Sequence, residues 1–113
     1  GFYEKPEIVD ILSCLAFIEN PEEDIALACV LRSPLVAVSD DALFWLARSA
    51  KVKQKETPLC AALSGLDQVK EIEAPDRRVL ERFCTWIEKL RAMKDRVKVS
   101  DLIRQIFMET GLE

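Results

Sequence analysis

Along the first twenty residues, apolar side chains recur at steps of three and four: Ile8, Ile11, Leu12, Leu15 and Ile18. That spacing draws one stripe along a helix of 3.6 residues per turn. It predicts a first helix from Pro6 to Glu19, with Pro6 in the first turn, where a missing N–H costs nothing. The next apolar run, Ile25 to Leu31, is unbroken and predicts a second helix, apolar on most sides and therefore central. Before it, Asn20, Pro21 and Glu23 read as N-cap, N1 and N3 with acid in the first turn. Ser33-Pro34 ends this helix, because the residue before a proline avoids the helical region. After the short apolar corner "SPLVAV", Ser39 reads as the N-cap of a third helix, with Asp40 and Asp41 in its first turn. Its stripe is Leu43, Leu46, Ala47 and Ala50. Phe44 and Trp45 lie off that stripe and call for a second packing surface.

"KVKQKE", Lys51 to Glu56, reads as a basic loop. Thr57-Pro58 resembles an N-cap and N1 pair opening a short fourth helix through Leu59, Ala62 and Leu63 to Ser64-Gly65. The fifth and longest helix runs from near Pro75 to about Asp95 on Val79, Leu80, Phe83, Ile87 and Leu90, with Trp86 widening its buried face. Ser100 reads as the cap of a sixth, carrying Leu102, Ile103, Ile106 and Phe107, and Gly111 fits the position just past its end. No stretch alternates with a period of two for long. The expectation is all-α: an irregular or orthogonal bundle of five to six helices, one domain over residues 1–113. Its expected core is Ile8, Leu12, Leu15, Ile25, Leu27, Leu31, Leu43, Leu46, Leu63, Leu80, Phe83, Ile87, Leu90 and Ile103.

Composition narrows the chemistry. The chain is 50% hydrophobic and 32% charged, which suits a soluble domain with one core. Its net charge of -4 argues against a generic polyanion binder, though not against a local contact within a larger basic protein. The absence of histidine removes the usual general base and the usual catalytic triads. Cys14, Cys29, Cys60 and Cys84 are far apart with no C-x-x-C pair, so they read as small buried hydrophobes of a cytosolic protein rather than as zinc ligands or a disulfide framework. Neither a phosphate-binding P-loop nor a G-x-G-x-x-G is present, so no catalytic, cofactor or metal residue is assigned. Glu22-Glu23 and Asp40-Asp41 are first-turn acids that favour the helix dipole. Lys51, Lys53 and Lys55 could be a solvated loop or meet phosphate. Phe44 and Trp45 could pack against a neighbour or stack on bases. No apolar run is long enough to cross a bilayer, and "GFYEKPE" reads as the start of a piece cut from a longer chain.

Two stretches together resemble a known family. "GFYEKPEIVDILSCLAFIENPEEDIALACVLRSPL" is similar to the segment of UvrD/Rep-type superfamily 1 DNA helicases that leaves subdomain 2A and enters the inserted subdomain 2B. Gly1, Phe2, Tyr3, Lys5, Glu7, Ile8, Asp10, Asn20, Pro21 and Asp24 carry the pattern. "VLRSPLVAVSDDALFWL" looks closest to the AddA/RecB-like helicase–exonuclease branch, where "LRSPLFGLSDEEL" is typical, and "VSDLIRQIFMETGL" also looks like that branch. The resemblance implies an accessory 2B-like subdomain, with residues 1–19 belonging to the 2A junction or to the domain itself. The parent would be a cytoplasmic ATP-dependent helicase using ATP and Mg outside this chain. Its partners would be duplex or forked DNA, the remaining helicase subdomains and a nuclease subunit. In UvrD-like helicases a Gly-Ile-Gly-type loop after the proline meets duplex backbone, and Ala37, Val38 and Ser39 stand at that place. The expected DNA-contact residues are therefore Arg32, Ser33, Ala37, Val38 and Ser39, with Lys51, Lys53 and Lys55. Because Ala37 and Ser39 replace glycines and two aspartates follow, a purely structural corner stays open as the alternative, as does a helical protein-interaction domain unrelated to nucleic acid.

Overall fold

The computed structural model describes residues 6–53 and 58–110 of the chain. Six α-helices and no strand are present among the described residues: α1 (Pro6–Glu19), α2 (Asp24–Arg32), α3 (Asp40–Lys53), α4 (Leu59–Ser64), α5 (Ala74–Met93) and α6 (Val99–Thr110). A 3-10 turn, Leu66–Gln68, lies between α4 and α5. α1 packs most extensively on α2, and α3 on α4, while α2 also touches α3 and α4 and so sits at the centre. The all-α bundle is as the periodicities predict.

Helix starts depart from expectation at two places. Asn20 still belongs to the end of α1, its N–H donating to the Ala16 carbonyl at 2.9 Å. Its side-chain Oδ1 accepts the Glu22 N–H at 3.1 Å, and its carbonyl accepts the Glu23 N–H at 3.1 Å. Asn20 therefore closes an Asx-type turn instead of capping α2, which begins only at Asp24. At α6 the cap is Lys98 and not the expected Ser100, which lies inside the helix. The Lys98 N–H donates to Asp101 Oδ2 at 3.2 Å, and the Asp101 N–H returns to the Lys98 carbonyl at 2.9 Å. This is half of a capping box, with an aspartate at N3. The expected cap Thr57 lies outside the described residues; the Leu59 N–H at the start of α4 donates to Asp24 Oδ1 on α2 at 2.9 Å.

The core is one cluster drawn from all six helices. Leu27, Leu31, Leu46, Leu80 and Leu90 are fully buried, as are Phe83 and Ile87 to within a few per cent. Leu15, Leu43, Leu63 and Ile103 pack against the cluster partly buried, and Ile8 is half-buried. Two expected core residues are on the surface: Leu12 is 49% and Ile25 79% exposed. The reason is rotational. α1 turns Ile11, Cys14, Phe17 and Ile18 inward, and Leu12 sits about 100° round from Ile11. α2 buries Ala26, Leu27, Val30 and Leu31, which leaves Ile25 and Cys29 on its outer side.

Two arginines tie the helices together. Arg91 of α5 donates from Nη2 to the Phe17 carbonyl at 3.0 Å and from Nε to the Ile18 carbonyl at 3.4 Å. Its guanidinium also lies 4.6 Å from the Phe17 ring centroid, and Phe17 stacks on Phe83 at 6.2 Å. These carbonyls are among those that the last turn of α1 leaves unpaired, at the negative end of its dipole. Arg77 does the same for the connection before α5, donating to the carbonyls of Leu66 at 2.8 Å, Val69 at 2.6 Å and Ile72 at 3.3 Å.

Candidate functional site

The corner between α2 and α3 is organised by Ser33, a buried residue with 5% exposure. Its hydroxyl donates to the Val30 carbonyl at 2.6 Å and accepts the Leu35 N–H at 3.2 Å. The Ser33 carbonyl accepts the N–H groups of Val36 at 3.1 Å and Ala37 at 2.7 Å, and the Val38 N–H reaches back to the Leu31 carbonyl at 3.0 Å. The Ser39 N–H donates to Asp76 Oδ1 at 3.1 Å, and the Ser39 hydroxyl to Asp76 Oδ2 at 2.6 Å. The same hydroxyl oxygen accepts the Ala42 N–H at 3.1 Å, so Ser39 does cap α3. Ser33 itself donates its N–H to the carbonyls of Cys29 and Val30, and Pro34 has no N–H. Every backbone donor from Ser33 to Ser39 therefore has an acceptor inside the chain.

Ala37 adopts φ 60. This is the left-handed region, which glycine enters freely and an alanine enters against a steric cost. The bonds from Ala37 and Val38 to Ser33 and Leu31 hold it there. At the mouth of the corner, Arg32 Nε lies 3.2 Å from Asp40 Oδ1, both side chains largely exposed. A phosphate approaching this corner meets the Asp76 carboxylate already seated on Ser39, and Arg32 already paired.

The expected basic loop is corrected in part: the backbone of α3 continues through Lys51 and Lys53, which stand in its last turn because nothing in the sequence breaks the helix before Lys53; Lys55 lies outside the described residues. Along the same helix Phe44 is 55% exposed. Its ring meets Trp45 edge-on at 5.1 Å, and the Arg48 guanidinium stands 5.9 Å from the Trp45 ring centroid. The second packing surface expected for this pair is thus provided only for Trp45, which is partly buried against the core.

A shallow groove of ≈ 730 Å³ runs along α5 and the end of α6, lined by Arg78, Glu81, Arg82, Trp86, Lys89 and Glu109 among others. Its charges are mixed, and Glu109 is bonded from two sides, Lys89 Nζ donating to Oε2 at 3.1 Å and Gln105 Nε2 to Oε1 at 2.6 Å. Burial pushes the Glu109 carboxyl up, but these bonds and the Lys89 charge hold it, on balance, below its ordinary value. The cysteines do not converge. Cys14 is buried, Cys60 and Cys84 half-buried, and Cys29 exposed, which corrects the expectation of four buried thiols. Among the described residues no three Cys, Asp or Glu side chains are grouped to hold a metal ion, and no helix is long and apolar enough to cross a membrane.

No protein-family model matches the chain. Individual proteins do. The chain is 33% identical over 111 residues, 98% of its length, to the AddA subunit of the ATP-dependent helicase/nuclease of Bacillus cereus (strain B4264). It is 34% identical over 110 residues to the protein of the same name from Bacillus pumilus (strain SAFR-032). The chain is homologous to a segment of AddA. It spans 9% of the length of these curated relatives. Against AddA the match runs through the corner, α3 and α5 alike, well beyond the N-terminal half that carries the clearest motifs. Asp76, which closes the corner, has no local motif to mark it, since it lies 37 residues from its partner Ser39. The one available signal is an acidic residue in the first turn of a helix, which suits service to that helix's own dipole equally well.

Proposed function

We propose that this chain is an accessory, 2B-like segment of an ATP-dependent DNA helicase with associated exonuclease activity, and that it regulates unwinding by contacting duplex DNA or a partner subunit. The observation that carries the reading is its identity of 33% over 98% of its length with AddA. In this reading, ATP and Mg are bound elsewhere in the parent protein, which acts in the cytoplasm in DNA repair and recombination. The segment works by position: it docks on the remaining helicase subdomains and offers a contact to DNA.

The contact we assign is Arg32, Ser33, Ala37, Val38 and Ser39 at the corner, with Lys51, Lys53 and Lys55. The hydrogen bonding orders these groups. The corner amides are engaged, Arg32 is paired with Asp40 and Ser39 with Asp76. The lysines therefore meet phosphate first, and the corner engages only as Asp76 gives way. With a net charge of -4 the affinity of the chain alone is low, about 10⁻⁴ M or poorer at physiological salt.

The test is a low-salt titration of the chain with forked duplex, followed by nuclear magnetic resonance. Replacing Lys51, Lys53 and Lys55 with Gln should abolish binding without unfolding the chain, and the salt slope should be shallow, about -0.9 per phosphate contact. Unchanged binding in the triple variant would refute the assignment. A second reading, a helical protein-interaction module, draws on the exposed apolar side chains Ile25 at 79%, Met108 at 73% and Val99 at 62%. Resonance shifts centred on these residues with a protein partner, and none with DNA, would favour it.

A further inference from the structure

The sequence from the middle of α3 onward has a composition found nowhere else in the chain. From Phe44 to Lys55, "FWLARSAKVKQK", it holds Arg48, Lys51, Lys53 and Lys55 and no acid, in a protein whose net charge is -4. Phe44 is a large aromatic left 55% exposed. It is not loose, because Trp45 braces it edge-on at 5.1 Å and is itself partly buried against the core. Arg48 stands over the other component of this assembly, 5.9 Å from the Trp45 ring. A braced, exposed ring beside a guanidinium and a helix end rich in lysine combines the two features that single-stranded nucleic acid requires: a flat surface for an unstacked base and cations for its phosphates. The acids of α3, Asp40 and Asp41, are confined to its first turn, and Asp40 is paired with Arg32. A strand lying along the helix would therefore place its phosphates toward Arg48 and the last turn.

We infer that Phe44 of α3 is a base-stacking platform for single-stranded DNA, with Arg48 neutralising the adjacent phosphate. This rests on the nucleic-acid reading above and names a second substrate form for it: unpaired bases, where the corner and its lysines address duplex backbone. The platform has no use for base identity, since every base offers a π face, so it is sequence-tolerant.

The experiment is fluorescence anisotropy at low salt on the full chain with three labelled probes: a twelve-residue oligothymidylate, an abasic deoxyribose-phosphate strand of the same length, and a blunt duplex. The platform requires the oligothymidylate to bind more tightly than the abasic strand of equal charge. Phe44→Ala should weaken oligothymidylate binding about 5- to 150-fold, the range set by loss of one stacking aromatic, and leave the abasic strand unchanged. Phe44→Tyr should restore binding. Because the Phe44 side chain is largely exposed, the alanine variant keeps its fold, which circular dichroism checks. Equal binding of the two single strands, or an unaltered Phe44→Ala variant, overturns the platform. If the duplex still binds in that case, the accessory DNA reading stands without it; if no probe binds, both fall.

Discussion

Ser39 and Asp76 join two helices that the sequence separates by 37 residues, and their coupling can be measured directly. Asp76→Ala removes the acceptor of two hydrogen bonds, from the Ser39 N–H at 3.1 Å and the Ser39 hydroxyl at 2.6 Å. Bonds to a charged group contribute about 1.5–3 kcal/mol when sheltered, but this pair faces solvent, which reduces the expected loss to about 1–2 kcal/mol. Ser39→Ala removes the hydroxyl half of the clasp and also the cap on the Ala42 N–H, worth about 1 kcal/mol more. The double variant should be worse than Ser39→Ala alone only by the Ser39 N–H bond, giving a coupling energy of about 0.5–1 kcal/mol. Urea unfolding, followed by tryptophan fluorescence and by circular dichroism, supplies all four corners of the cycle. Additivity to within about 0.3 kcal/mol would refute the clasp as an energetic link. The same variant bears on the corner as a DNA contact. Asp76→Ala frees the two Ser39 donors and removes a negative charge, so duplex affinity at low salt should rise; if it does not, the corner is structural alone.

Other outcomes follow from single features. Ala37→Gly relieves a left-handed alanine and should stabilise the chain by about 0.5–1 kcal/mol, after allowing for the extra freedom glycine gains when unfolded; a loss of stability would contradict the φ assignment. Phe83→Ala, in the buried stack with Phe17, should cost about 3–5 kcal/mol, whereas Ile25→Ala, at 79% exposure, should change unfolding by less than about 0.5 kcal/mol. Glu109 is held below its ordinary value of 4.5. Its contribution is therefore full above that pH and lost as pH falls through the depressed folded-state value. Lys89→Met should flatten this acid limb in pH-dependent urea midpoints. In thiol labelling near neutral pH, Cys29 should react first because it is exposed, and Cys14 last, because burial raises its thiol to about 12 against the opposing charge of Arg91. A rapid Cys14 would show that α1 opens.

Much of the architecture was legible because helix periodicity is local. The stripe of α5 falls where Leu80, Phe83, Ile87 and Leu90 place it, and Ser39 caps α3 as its position before Asp40-Asp41 suggests. What failed was the choice between neighbouring stripes. Leu12 and Ile25 are as apolar as their buried neighbours, and only the direction from which the other helices approach decides which side of α1 and α2 faces inward. Asn20 misled for a different reason. Its side chain can serve a helix start or a tight turn, and the α1 bond from its own N–H selects the turn. At the candidate interface, Arg32, Ala37 and Ser39 were identifiable as a corner from Ser33-Pro34 onward, but Asp76 was not, because a carboxylate that closes on a distant helix leaves no trace in spacing. The division of labour on α3 was half legible: Phe44 and Trp45 stood off the buried stripe, yet the sequence does not say that one is tucked in and the other left out.

Arg91 has a mechanical consequence. It grips the last carbonyls of α1 from the far end of a helix of 20 residues, about 30 Å long, and Lys94 lies within 4.0 Å of Glu19 beside it. At its other end that helix begins next to Asp76, which holds the corner. The last turn of α1 and the cap of α3 are thus fastened to opposite ends of one helix, so replacing Arg91 would loosen the first attachment while leaving the second intact.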